Sequence, residues 1–170
     1  SLSVRGCETR CNLGKGHWMS FTLRINGEVR AIASNPETPL IYVLRDELKL
    51  KGAKLGCGLE QCGSCAVLVD GKAELSCVSP AETFEGREIV TIEGLAATEI
   101  GRRVQAAFVQ ANAAQCGYCT AGLVVAVSAL LAETETPDRN TAKAALDQHL
   151  CRCGAHPRVL RAVEIASDTS

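Results

Sequence analysis

Aromatic residues are scarce: Phe, Trp and Tyr make up 4% of the 170 residues, with one Trp and one Met. Any core must therefore be built from Ala, Val, Leu and Ile. An excess of either charge is also missing. The net charge is −1 and no basic stripe appears, which argues against nucleic acid as a partner. No secretory leader pattern and no twin-arginine pair stands near the start, so a reducing, cytoplasmic setting is expected. A long apolar run is lacking too. Val104 to Ala132 carries no charge, but it contains Gln105, Gln110, Asn112, Gln115 and two cysteines. Its apolar part, Ala121 to Ala132, is too short to cross a bilayer. No transmembrane segment is predicted, and the uncharged run reads as a face buried in a protein assembly.

Cysteine is what the chain has in excess, with 10 of 170 residues. In a reducing setting, clustered cysteines favour metal over disulfides. Eight of them form two sets of four. Cys57, Cys62 and Cys65 read C-x4-C-x2-C, followed by Cys77. Cys116 and Cys119 read C-x2-C, followed by the C-x-C pair Cys151 and Cys153. Two complete four-ligand sites are the economical reading. Cys7 and Cys11 fall in residues 1–18, where Arg5, Arg10 and Lys15 outnumber Glu8 and no apolar period is seen. That stretch reads as an extension outside the core, with spare thiols, ahead of a natural-looking start at Met19.

Residues 19–94 read as a β-rich unit. Phe21, Leu23 and Ile25 alternate, and Asn26-Gly27 is a hairpin turn leading to a strand over Val29 to Ala33. Thr38-Pro39 predicts a helix start, with Leu40, Val43, Leu44 and Leu48 on one face. A glycine-punctuated loop (Gly52, Gly56, Gly58, Gly63) carries the first cysteines. Val67 and Val69 form a strand, Asp70-Gly71 turns it, and the return strand is expected to carry Cys77. Arg87 to Ile92 reads as one more strand. Residues 95–170 read as four short antiparallel helices. Their apolar positions include Val104 and Phe108, then Leu123 and Val127, then Ala142 and Leu146, and finally Leu160 and Val163 beyond Pro157.

C-x4-C-x2-C with a distant fourth cysteine is the plant-type [2Fe–2S] pattern. Such a cluster carries negative charge, so backbone N–H groups must face its sulfurs. The wrapping loop then needs positive φ and close backbone approach, which Gly56, Gly58 and Gly63 supply. In the second set, the start of an apolar helix favours the Cys116 and Cys119 thiolates. Cys151-Arg152-Cys153 cannot lie mid-helix, because residues two apart do not share a face. It must be a turn that converges on the first pair. Zinc held by four thiolates is the competing reading, chiefly for the second set. His149 and His156 flank the C-x-C turn and read as structural histidines, since eight cysteines already complete two sites.

The segments Gly56-Cys57-Gly58-Leu59-Glu60-Gln61-Cys62-Gly63-Ser64-Cys65, Leu75-Ser76-Cys77, Gln115-Cys116-Gly117-Tyr118-Cys119 and Leu150-Cys151-Arg152-Cys153 resemble the iron–sulfur subunit of molybdenum hydroxylases, the xanthine dehydrogenase and aldehyde oxidoreductase family. The resemblance spans Met19 to about Ile165. It implies an α+β chain with an N-terminal β-grasp [2Fe–2S] ferredoxin-like domain and a C-terminal four-helix [2Fe–2S]-binding domain. Cys57, Cys62, Cys65 and Cys77 would bind one cluster, and Cys116, Cys119, Cys151 and Cys153 the other. Gln115 would approach the pterin of a large molybdopterin-binding partner subunit. Electrons would pass from molybdenum through the two clusters to a flavin (FAD) subunit or a cytochrome acceptor. Tyr118 and Gly154-Ala155-His156 look like the nicotinate and isoquinoline dehydrogenase branch, so an N-heteroaromatic or an aldehyde is the expected substrate of the complex. Ala66 and Ala121 depart from the usual Thr and Pro of the family. The alternative is a free-standing two-cluster ferredoxin, but soluble carriers ordinarily show an acidic docking face, which a net charge of −1 does not suggest.

Overall fold

A computed structural model describes residues 21–168. The expected extension, with Cys7, Cys11 and His17, lies outside the described residues, as does the Met19 start. The chain opens with β1 (Phe21–Ile25) and β2 (Glu28–Ile32), whose turn places Asn26 at φ 54° and Gly27 at φ 81°. That is the left-handed pair a two-residue hairpin demands. Phe21, Leu23 and Ile25 all face inward, as their alternation predicts. A second such hairpin joins β3 (Ala66–Val69) to β4 (Lys72–Leu75) through Asp70 and Gly71. β5 (Glu88–Val90) runs parallel to β1 and antiparallel to β3, giving the sheet order β2-β1-β5-β3-β4.

The helix after Pro39 is shorter and looser than its apolar spacing suggests. Helix α1 (Leu40–Tyr42) passes into a π-helical turn (Val43–Glu47), where the Leu48 amide reaches back five residues to the Val43 carbonyl. Pro39 itself occupies the cap, and the Thr38 carbonyl accepts from Ala81 instead of capping a helix. Leu40, Ile41, Val43 and Leu44 are all buried, together with Leu23, Ile32 and Ile89 of the sheet and Phe84 of the turn between β4 and β5. Two strand boundaries also differ from the sequence reading. β4 ends at Leu75, so Cys77 sits just past the strand. β5 ends at Val90, and Ile92 begins a short helix, α2 (Ile92–Leu95).

The remaining helices are α3 (Glu99–Gln110), α4 (Thr120–Glu133), α5 (Arg139–Leu146) and α6 (His156–Asp168). Thr98 caps α3 by accepting from the Gly101 amide, and Asp138 caps α5 by accepting from Asn140 and Thr141. Helix α4 is apolar all round, with every residue from Gly122 to Leu131 buried. Such a helix belongs in an interior. The uncharged run therefore needs no partner along α4, which is covered by α3, α5 and the β3–β4 hairpin of its own chain. What remains exposed lies just upstream, where Val109 and Tyr118 are 78% and 48% accessible. No helix among the described residues is long and apolar enough to cross a membrane.

Candidate metal centres

The first cysteine set occupies the loop between the π-helical turn and β3, and the segment after β4. Three local choices shape the loop. Gly58 and Gly63 take φ 67° and 71°, as the glycine argument requires, and Glu60 also adopts a left-handed φ of 55°. Gly56 contributes space instead, since a Cβ there would sit 2.6 Å from Cys62 Sγ. The resulting backbone turns amides toward sulfur. Leu59 N and Gln61 N each donate to Cys57 Sγ at 3.3 Å, and Cys57 N donates to Cys62 Sγ at 3.3 Å. Ser76 Oγ fixes the neighbouring strand by donating to the Cys65 carbonyl at 2.7 Å.

Environment separates Cys57 from Cys65. The Gln61 and Leu59 amides bring the Cys57 thiol down to about 7. Burial pushes Cys65 up to about 11, helped by the adjoining Cys77. The side chains meet in two pairs, Cys57 with Cys62 and Cys65 with Cys77. Two such pairs would suit a [2Fe–2S] cluster, which is held by four cysteine thiolates. Among the described residues, no three Cys, His, Asp or Glu side chains converge closely enough around one point to hold a single ion. Burial disfavours the charged form of Cys65, so a metal bound there would have to displace its proton.

The second set repeats the pairing on a different scaffold. Cys119 immediately precedes α4 without capping it, Cys116 stands in the preceding turn, and Cys151-Arg152-Cys153 form the turn between α5 and α6. Cys116 meets Cys153, and Cys119 meets Cys151. Burial, then the nearby Cys151, pushes Cys119 up to about 12, so here desolvation outweighs the expected favouring of its thiolate by the helix start. The Tyr118 amide and the Cys153 side chain lower Cys116. Burial resists ionisation of Cys151, yet the Ala155 amide, 3.3 Å from its Sγ, and the Cys119 side chain together lower it. All eight cysteines are free of disulfides. Gln115 is exposed, and its Nε2 donates to the Cys153 carbonyl at 3.2 Å, so it borders this set.

The two loops touch. Leu150 N donates to the Cys62 carbonyl at 3.0 Å, joining the residue before Cys151 to a cysteine of the first set. Gly122 on α4 has no room for a side chain, because a Cβ would collide with the Gly63 carbonyl and lie 3.1 Å from Ser64 Cα. Gly63 is equally constrained, since its Cβ would enter the His149 imidazole. Burial, and then the charge of His156, drive His149 down to about 4, so it stays neutral. His156 Nε2 lies 2.7 Å from the His149 carbonyl, which holds the His156 ring beside the second set. Tyr118 OH completes the junction by donating to the Leu55 carbonyl at 2.5 Å. Nothing in the sequence marks Tyr118, Gly122 or Leu150 as a junction residue. Their only signal is proximity to cysteine motifs.

Comparison with known proteins agrees with this geometry. A [2Fe–2S] binding domain family matches residues 91–164, and a 2Fe–2S iron–sulfur cluster binding domain family matches residues 45–104. One of the nicotinate dehydrogenase subunits of Pseudomonas putida is 43% identical over 150 residues, covering 88% of this chain and 96% of that protein. Quinoline 2-oxidoreductase from Pseudomonas putida 86 superposes with a TM-score of 0.83 at 34% identity, over 89% of this chain and 94% of the matched one. The aldehyde oxidoreductase of Desulfovibrio desulfuricans gives 0.81 at 35% identity over 88% of this chain, which spans only 17% of that longer one. The chain belongs to the [2Fe–2S] electron-transfer subunits of the molybdenum hydroxylases.

Proposed function

We propose that Cys57, Cys62, Cys65 and Cys77 hold one [2Fe–2S] cluster and that Cys116, Cys119, Cys151 and Cys153 hold the second. The division of the chain is proposed at residues 19–94 and 95–170, with residues 1–18 outside the core. When bound, each cluster accepts and releases one electron at a time. The chain's own residues fix where those electrons enter and leave. The paired thiols and the Leu150 to Cys62 hydrogen bond carry this reading, because they put two diiron-type ligand sets on touching loops.

The proposed partner is a large subunit that holds molybdopterin and binds the substrate. It would meet the second set, where Gln115 and the exposed Cys116 stand near a cleft of about 640 Å³. Phe108, Val109, Gly117 and Ala121 line that cleft, and apolar exposure of this kind marks a contact face. Cys57 and Leu59 are the exposed edge of the first set, from which an FAD subunit or a cytochrome would draw electrons. An N-heteroaromatic such as nicotinate is the proposed substrate of the complex, with an aldehyde as the second choice, following the relatives above.

The chain contributes no substrate-binding chemistry in this scheme. Co-expression with the large subunit should give turnover of a heterocycle, and the chain alone should give none. In the assembled enzyme, Cys119→Ser should stop substrate from reducing either cluster. Cys65→Ser should leave substrate reduction of the second cluster intact and block delivery to the acceptor. Substrate oxidation by the chain freed of its partner would overturn the proposal.

A further inference from the structure

Glu60 sits where glycine would be expected. Its φ of 55° lies in the left-handed region, which side chains disfavour, and Gly58 and Gly63 fill the comparable positions of the same loop. The conformation has a direct result. The amides on either side of Glu60, those of Leu59 and Gln61, both reach Cys57 Sγ at 3.3 Å. A glycine would produce the same turn without strain, so the backbone alone does not account for a carboxylate here. The side chain is also engaged. Ser79 Oγ donates to Glu60 Oε1 at 3.2 Å, and Ser79 lies two residues beyond Cys77. Glu60 therefore ties the loop carrying Cys57 and Cys62 to the segment carrying Cys77. Glu60 is itself exposed, and the Ser79 contact holds its carboxylate toward the Cys77 segment.

We propose that Glu60 is a positioning and charge-setting residue of the first cluster site: its Ser79-tethered carboxylate links the two cysteine-bearing segments and lowers the reduction potential of that cluster. The inference rests on the cluster assignment proposed above. A cluster gains one negative charge on reduction, and a fixed carboxylate beside it opposes that gain. The two amides act in the opposite sense, so the loop balances the two influences on one sulfur. The effect should be local, because separated exposed charges are screened within about 8–10 Å at ordinary ionic strength.

The test is a redox titration of the iron-loaded chain followed by electron paramagnetic resonance. Three variants separate the roles. Glu60→Gln keeps the Ser79 hydrogen bond and removes the charge. Glu60→Gly removes both and relieves the backbone. Ser79→Ala frees the charge without removing it. Glu60→Gln and Glu60→Gly should both shift the first cluster to higher potential and leave the second where it was. Ser79→Ala should give a smaller shift in the same direction. Glu60→Gly should melt no lower than the parent, which distinguishes lost charge from lost folding. An unmoved first-cluster potential in both Glu60 variants, with the signal intact, would overturn the proposal for Glu60 alone. Absence of a first-cluster signal from the loaded parent would overturn the cluster assignment beneath it.

Discussion

Gly122→Ala probes the closest approach between the two cysteine-bearing regions. Alanine is normally the better helix residue, and in an open helix interior the change would stabilise by about 0.8–1.0 kcal/mol. Here the new methyl group would meet the Gly63 carbonyl and Ser64 Cα, which are backbone atoms and cannot rotate away. Helix α4 or the loop has to move. Overpacking of this kind costs about 1–3 kcal/mol, so the net result is a loss of up to about 2 kcal/mol. For a chain of this size that corresponds to a fall in Tm of up to about 4–8 °C. The displaced loop carries Cys62 and Cys65, so the visible circular dichroism of the first cluster should change as well. Gly86→Ala is the control. It has φ 79° and nothing within 4 Å of its added Cβ. Left-handed alanine there should cost about 1–2 kcal/mol without touching the cluster spectrum. A Gly122→Ala protein as stable as the parent, with an unaltered first-cluster spectrum, would refute the close-packing argument.

The junction and the hairpin exit make further predictions. Tyr118→Phe removes the hydrogen bond to the Leu55 carbonyl and should cost about 0.5–1.5 kcal/mol in denaturant unfolding, with both sets of cysteines still able to load iron. Glu47 is partly buried, which opposes its ionisation. The Ala33 amide at 2.7 Å, the Ser34 hydroxyl at 2.6 Å and the Ser34 amide at 3.1 Å outweigh burial and lower its pKa. A lowered folded-state value means that the unfolded chain binds the proton more readily. Glu47 therefore stabilises the fold above the ordinary glutamate range, and that contribution is lost as pH falls through the folded-state value. Glu47→Gln should be less stable than the parent at pH 7, and the difference should shrink in acid. A difference that grows in acid would contradict the sign.

The legible parts of the fold are those specified by neighbours in sequence. Asn26-Gly27 and Asp70-Gly71 announce both hairpins, and the residues at those turns do take left-handed conformations. Pro157 and the apolar spacing around Leu160 locate α6, although the boundary begins one residue earlier, at His156. The cysteine spacing announces the two loops because a ligand set must be complete to be useful. What stays hidden depends on tertiary packing. Nothing local marks Gly122 as the point where α4 meets Gly63, or His149 as the ring that closes over it. The uncharged run misleads for the same reason. Lack of charge signals burial but does not say by what, and α4 is buried by its own chain. The π-helical turn at Val43–Glu47 likewise keeps the apolar face expected of an α-helix while changing its hydrogen bonding.

Electron paramagnetic resonance of the dithionite-reduced, iron-loaded chain tests the central claim most directly. Two distinct spin-half signals are expected from the parent. Cys65→Ser should lose or alter one of them and Cys119→Ser the other, since the two ligand sets sit on separate loops and metal binding is coupled to local folding. A single signal from the parent, or loss of both signals together in each variant, would contradict the assignment of two independent [2Fe–2S] centres.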